Sequence, residues 1–143
     1  MKKKFKAMVL SCIDPRFQPL VYNFLRRKKL MGKYSAFTIA GAAIGVTHNK
    51  FKKWHPTFYE NLSTSIKLHK IEKLIVINHT DCGAAKIINK NNKFDSINEK
   101  KIHKTSFIEL KKKLSKKFPK LKIDINLISL NKKIKKIKKI HQL

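Results

Sequence analysis

The run Leu74-Ile75-Val76-Ile77 limits the possible folds of this chain more than any other segment. Four consecutive apolar residues leave no polar face, so a strand built on them needs cover on both sides. A central strand of a parallel sheet has that environment, with helices packed above and below. The rest of the chain supplies matching partners. Residues 5–11 read as a first strand. Residues 17–30 read as a helix, with Pro19 in its first turn and Leu20, Val21, Phe24 and Leu25 on one face. Gly32 provides its stop. Residues 35–39 read as a second strand and 49–56 as a basic loop. A second helix over 57–69 carries Phe58, Leu62 and Ile66 four apart, with Thr57 and Glu60 available as a capping box. The third strand is 73–78. A short helix over 84–88, a polar loop over 89–98 and a long helix over 101–118 follow, the last with Phe107, Leu110, Leu114 and Phe118 on one face. Residues 122–130 alternate Ile123, Ile125 and Leu127 as a fourth strand. The expected fold is α/β: a mainly parallel four-stranded sheet flanked by helices, with right-handed crossovers. One domain is expected over residues 1–131, followed by a lysine-rich tail over 132–143. Ile134, Ile137 and Ile140 there suggest a short hairpin strand or a frayed helix.

Open parallel sheets bind ligands beyond the carboxyl ends of their strands. Three strand ends carry small or reactive residues here: Cys12-Ile-Asp14-Pro-Arg16 after the first, Ala40-Gly41-Ala42 after the second, and His79-Thr-Asp81-Cys82-Gly83 after the third. Zinc favours thiolate and imidazole in tetrahedral arrangements, and catalytic zinc sites keep one position open. Cys12, His79 and Cys82 make a Cys2His set of that kind, leaving a place for water or a carboxylate. Asp14 is available as that fourth ligand, and Arg16 would hold it ionised and oriented. The chain has two cysteines in all, so a Cys12–Cys82 disulfide is the competing reading. Asp81 reads as an N-terminal cap for the turn after it. His48, His55 and His103 read as solvated or loop histidines, and His69 as a cation near a helix end.

Composition narrows the function classes. The chain has 143 residues and a formal net charge of +27, from 35 basic and eight acidic residues. No apolar run approaches the ~20 residues of a membrane span. Lysines at positions 2–4 ahead of a short apolar stretch and Cys12 resemble a lipoprotein signal, but the stretch is too short and Asp14 follows at once. The expected location is cytoplasmic, where both thiols stay reduced and a disulfide is disfavoured. A charge this positive suggests nucleic acid or an anionic membrane. Against that, lysine is spread over the whole chain, while arginine, the residue suited to bidentate phosphate and base contacts, occurs only at Arg16, Arg26 and Arg27. Neither a specific nucleic-acid partner nor a membrane partner is expected.

With those residues in view, the chain resembles the β-class carbonic anhydrase family, in a short branch without the N-terminal helical arm. Cys12-Ile-Asp14-Pro-Arg16 matches the family's Cys-x-Asp-x-Arg motif, His79-Thr-Asp81-Cys82-Gly83 its His-x-x-Cys-Gly motif, and Ala40-Gly41 the glycine turn between them. The likeness spans roughly residues 6–130. It implies that Cys12, His79 and Cys82 bind zinc and that Asp14 and Arg16 form a gating dyad. The implied activity is that of a zinc lyase: reversible hydration of carbon dioxide to bicarbonate by zinc-bound hydroxide, in a homodimer or higher homo-oligomer. The same scaffold would also suit hydrolysis of carbon disulfide or carbonyl sulfide, or a non-catalytic zinc-binding role. One departure stands out: Thr38-Ile39 replaces the Arg-Asn that the family usually has before its glycine turn.

Overall fold

A computed structural model describes residues 5–129, 131 and 133–137. Strands β1 (Ala7–Ser11), β2 (Tyr34–Thr38), β3 (Lys73–His79) and β4 (Lys122–Ile128) run parallel in the order β2-β1-β3-β4. A fifth strand, β5 (Ile134–Lys136), adds to β4 in the antiparallel sense. The sheet therefore has five strands rather than the expected four. The extra one falls in the Lys-Lys-Ile segment, as a hairpin closed by the Ser129 amide on the Lys133 carbonyl at 2.9 Å. The three-residue spacing of isoleucines has a simple result in a strand, where side chains alternate. Ile134 packs on one face of the sheet and Ile137 on the other. Ile140 and Leu130 lie outside the described residues.

Both faces of the centre are covered, as the Leu74–Ile77 run requires. Helix α1 (Gln18–Arg27) and the 3-10 turn before it press Phe17, Val21 and Leu25 onto Ala7, Val9, Ile75 and Ile77. On the opposite face, α2 (His55–His69) supplies Phe58 and Leu62. A third helix, α3 (Gly83–Ile88), follows β3, and α4 (Ser96–Lys117) supplies Phe107, Leu110 and Leu114. These meet Met8, Leu10, Leu74, Val76 and Ile125. Strand β4 lies further out, so its alternation is real: Ile125 and Leu127 face α2 and α4, while Asp124, on the other side, pairs with Lys73 at 3.4 Å.

Element boundaries moved where caps outweighed apolar spacing. Helix α2 begins at His55, following a 3-10 turn over Asn49–Trp54 in the segment read as a loop. Pro56 sits in its first turn, where the missing N–H has no partner to lose. Thr57 is therefore inside the helix and caps nothing. Helix α4 starts at Ser96 because the Asp95 carboxylate accepts the Asn98 amide at 2.8 Å. Helix α1 ends at Arg27, short of Gly32, with Lys29 already in a left-handed conformation at φ 60°. Among the described residues no helix is long and apolar enough to cross a membrane.

The segment between β2 and α2 is buried from Gly41 through Thr47. It closes on itself through the Ile44 amide on the Gly41 carbonyl and the Thr47 amide on the Ile44 carbonyl. Gly45 permits this coil, because a Cβ there would collide with the Ala40 carbonyl oxygen. Gly45→Ala is expected to lower stability by about 1–3 kcal/mol, the usual range for overpacking. Urea denaturation would show this as a lower midpoint, and an unchanged midpoint would contradict the tightness of the turn.

Candidate metal centre

The parallel register of β1 and β3 brings the two motifs together. Ser11, the last residue of β1, pairs with Ile77, so Cys12 emerges beside the end of β3, where His79 is the last residue. Three residues later Cys82 stands immediately before α3. The ligand atoms of Cys12, His79 and Cys82 all lie within 4.8 Å of one another, and these residues are 8 %, 2 % and 1 % exposed. Both cysteines are free thiols, so the disulfide reading is set aside.

His79 is aimed by its surroundings. Its ring stacks on Phe17 with centroids 4.0 Å apart, and Nδ1 donates to the Thr80 carbonyl at 2.7 Å. Once neutral, the ring therefore offers its Nε2 lone pair. That nitrogen is buried and has no hydrogen-bond partner. A buried polar atom without a partner needs a reason, and beside two buried sulfurs the reason that fits is a thiophilic divalent ion. A hydrogen bond from Cys82 is the main influence holding Cys12 down to about 4, helped by His79 and by the Gly41 amide at 3.3 Å from Sγ. Donation to Cys12, together with burial, pushes the Cys82 thiol up. Burial opposes a charge on His79, but Cys12, the Thr80 carbonyl and Asp14 outweigh it and raise the imidazole above its usual value.

At the mouth of the cluster, Asp14 Oδ2 lies 3.8 Å from His79 Nε2. Its carboxylate accepts the Arg16 amide at 2.9 Å, Arg16 Nε at 3.1 Å and Arg16 Nη2 at 2.8 Å. The Arg16 hydrogen bonds bring the Asp14 carboxyl down to about 2. Gln18 Nε2 donates to the Cys12 and Asp14 carbonyls and fixes the loop between them. The same guanidinium reaches the other motif: Nη1 donates to Asp81 Oδ2 at 2.9 Å and Nη2 to the Asp81 carbonyl at 3.0 Å. Asp81 also pairs with Lys86 at 3.0 Å. It is not the cap expected from the sequence; Cys82 occupies that position and makes no side-chain cap bond.

Behind the cluster lies a polar group that the sequence reading missed. Glu99 accepts the amides of Asp81 and Cys82, each at 2.9 Å, and His103 Nε2 at 3.1 Å. The Asn78 amide group donates to His103 Nδ1 at 2.9 Å, while Asn78 Oδ1 accepts the Ala43 amide at 3.0 Å. His103 is 1 % exposed, not solvated as expected. A signal for it existed: stepping back by fours from Phe107 along α4 gives His103 and then Glu99, two polar residues on an apolar stripe. Of the Thr38-Ile39 pair, Thr38 is exposed at the end of β2 and Ile39 packs against the core under α2 and α4.

Comparison with known proteins gives a consistent result. A family model described as "Putative carbonic anhydrase" matches residues 1–114. An uncharacterized protein of Rickettsia bellii is 24% identical over 136 residues, covering 94% of this chain and 83% of its own length. Among solved structures, a carbonic anhydrase from Glaciozyma antarctica superposes with a TM-score of 0.60 at 17% identity, over 96% of this chain and 84% of its own. A tetrameric β-carbonic anhydrase from Sordaria macrospora gives 0.66 at 8% identity, over 96% and 83%. At these identities the likeness shows that the fold is that of the β-carbonic anhydrases.

The Cys82 thiol, pushed up by donation to Cys12 and by burial, would give up its proton on binding a metal ion. Zinc uptake is expected to release protons, because a thiol binds the ion as thiolate, so affinity rises with pH. Titration calorimetry in buffers of different ionisation enthalpy would measure this. Cys12→Ser, His79→Ala and Cys82→Ser should each lose stoichiometric zinc. Retention of a full equivalent by any of the three would remove that residue from the set.

Proposed function

The chain belongs to the carbonic anhydrase family described by that model, and on this premise we propose that it is a zinc-dependent carbonic anhydrase, reversibly hydrating carbon dioxide to bicarbonate. The observation that carries the reading is the buried Cys12–His79–Cys82 cluster with an arginine-held carboxylate at its mouth. Cys12, His79 and Cys82 would hold the ion. When bound, zinc supplies Lewis acidity and a water-derived nucleophile near neutral pH.

The residues around it have separable tasks. Asp14 stays ionised throughout the physiological range, because Arg16 occupies both of its oxygens. A permanent carboxylate at the mouth of the cluster would be placed to accept a hydrogen bond from water and orient it, or to serve as a fourth ligand. Arg16 sets which of these Asp14 does, since it holds the carboxylate by three donors at a fixed angle. Phe17 closes off the rear of His79 from water. We place the protein in the cytoplasm, where both thiols stay reduced.

A homodimer or higher homo-oligomer is part of the same reading. The Sordaria macrospora protein is tetrameric. Here Ile13, between Cys12 and Asp14, is 58% exposed, Ile87 in α3 is 60% exposed and Ile97 at the start of α4 is 65% exposed. Large apolar residues exposed on elements next to a site suit cover by a second subunit. Light scattering on purified protein should give at least twice the 16.7 kDa chain mass; a monomer at micromolar concentration would count against this part.

Stopped-flow hydration of carbon dioxide, paired with metal analysis, tests the activity. Asp14→Ala should reduce turnover by about 10²-fold or more, the usual weight of a positioned acid–base group, while zinc content stays near that of the unaltered chain. Stoichiometric zinc without turnover in the unaltered chain would select a non-catalytic zinc protein. Turnover of carbon disulfide or carbonyl sulfide in preference to carbon dioxide would change the substrate but keep the site.

A further inference from the structure

The turn that delivers Cys82 has little reason to hold its shape unaided. Asp81 adopts a left-handed conformation at φ 55°, and Cys82 does not cap α3 with its side chain. The amides of Asp81 and Cys82 point away from the sulfurs and into the protein, where Glu99 receives both, one on each carboxylate oxygen. Glu99 is 7 % exposed and sits in the first turn of α4, where a helix end favours negative charge. His103 lies one turn further along. Its Nδ1 accepts from the Asn78 side-chain amide, so its Nε2 carries the proton and donates to Glu99. Asn78 in turn holds the Ala43 amide in the buried coil after β2.

We propose that Glu99 is a positioning residue of the metal centre and that His103, braced by Asn78, holds it in place. The inference rests on reading Cys12, His79 and Cys82 as a metal site. The Glu99 carboxylate pins two consecutive peptides of the ligand turn, and so fixes where Cys82 Sγ stands relative to Cys12 and His79. The line Ala43–Asn78–His103–Glu99–Cys82 joins the loop after β2, the end of β3 and helix α4 behind the ligands. Neutral replacement of Glu99 leaves one of the two amides facing a donor instead of an acceptor, and frees the turn to relax.

The test compares unaltered protein with Glu99→Gln and His103→Gln, each checked by far-UV circular dichroism. Zinc affinity is measured by competition with a chelator, and the cobalt(II)-loaded forms are compared by visible absorption, which reports ligand geometry without turnover. Glu99→Gln should bind zinc about 10–100-fold more weakly, the range seen when a partner behind a metal ligand is removed. Its cobalt thiolate bands should shift or weaken. His103→Gln should change both in the same direction by less. Amide exchange by NMR on the metal-free proteins gives an independent reading: Asp81 and Cys82 amides protected in unaltered protein, unprotected in Glu99→Gln, with the α4 amides unchanged. Wild-type affinity, spectrum and protection in Glu99→Gln would overturn the proposal. If Glu99→Gln does not fold, the same wild-type values in His103→Gln overturn it. An unaltered chain that takes up neither zinc nor cobalt overturns the metal reading itself, and amide exchange alone then decides whether Glu99 holds the turn.

Discussion

Two sulfurs and an imidazole nitrogen, taken out of water together, set the terms for the rest of this structure. Burial raises the cost of charge on every one of them, and a buried nitrogen without a partner forfeits the hydrogen bond it had in water. The fold meets part of that cost with peptide groups: the Gly41 amide on Cys12 and the Thr80 carbonyl on His79. It leaves His79 Nε2 unmet. The geometry that creates the deficit is also hard to relax. Cys12 and His79 leave adjacent parallel strands whose register is fixed by Val9 and Leu10 beside Ile75 and Val76, and slipping that register by one residue would turn every core side chain to the wrong face.

Much of this was legible because the chemistry lies at strand ends and the strands announce themselves. The Leu74–Ile77 run required a two-sided sheet, and the three strand ends with small or reactive residues then had one edge to share. The fifth strand was visible only as one of two options, since isoleucines three apart fit a strand crossing between faces as well as a frayed helix. Glu99 escapes the sequence and His103 reads as a solvated histidine because both stand where an apolar stripe turns polar. On α4 the stripe continues in space as hydrogen-bonding groups, and its first turn was taken for loop because Asp95, Asn98 and their neighbours resemble turn residues. Asp81 was misassigned because its true partner, Arg16, stands 65 residues away. Local sequence offers a cap for such a residue, whereas only the fold reveals an arginine.

The charge balance makes the acidic residues informative. With eight of them against 35 lysines and arginines, electrostatics gives any carboxylate a choice of exposed cations. Asp14, Asp81 and Glu99 nevertheless converge on one small region. The pairings of Asp81 with Arg16 and Lys86 are exposed and add little to stability, so convergence of scarce acids is better explained by what they organise. Lysine, by contrast, is spread along the whole sequence, and its weight falls on solubility and long-range attraction to anions. For a site whose proposed substrate is neutral and whose product is an anion, a positive surround favours the product side only within about a Debye length, ~8 Å at physiological salt.

Arg16 and Glu99 act on the same turn from opposite sides. From the solvent side, the guanidinium holds the Asp81 carboxylate and carbonyl while it grips Asp14. From the core, Glu99 takes the Asp81 and Cys82 amides. The consequence is that Asp14 and Cys82 are not independent, although one belongs to the loop after β1 and the other to the loop after β3. If Asp14 acts as proposed, its swing toward the cluster would loosen Arg16, and with it one of the two restraints on the Asp81 turn. On the same reading a rigid inner restraint lets the outer one move: with Glu99 in place, Asp14 could exchange partners without dragging the Cys82 sulfur along. On the proposed reading, a carboxylate gate and a fixed ligand can share one arginine because a second carboxylate, buried and hydrogen-bonded, holds the turn behind them.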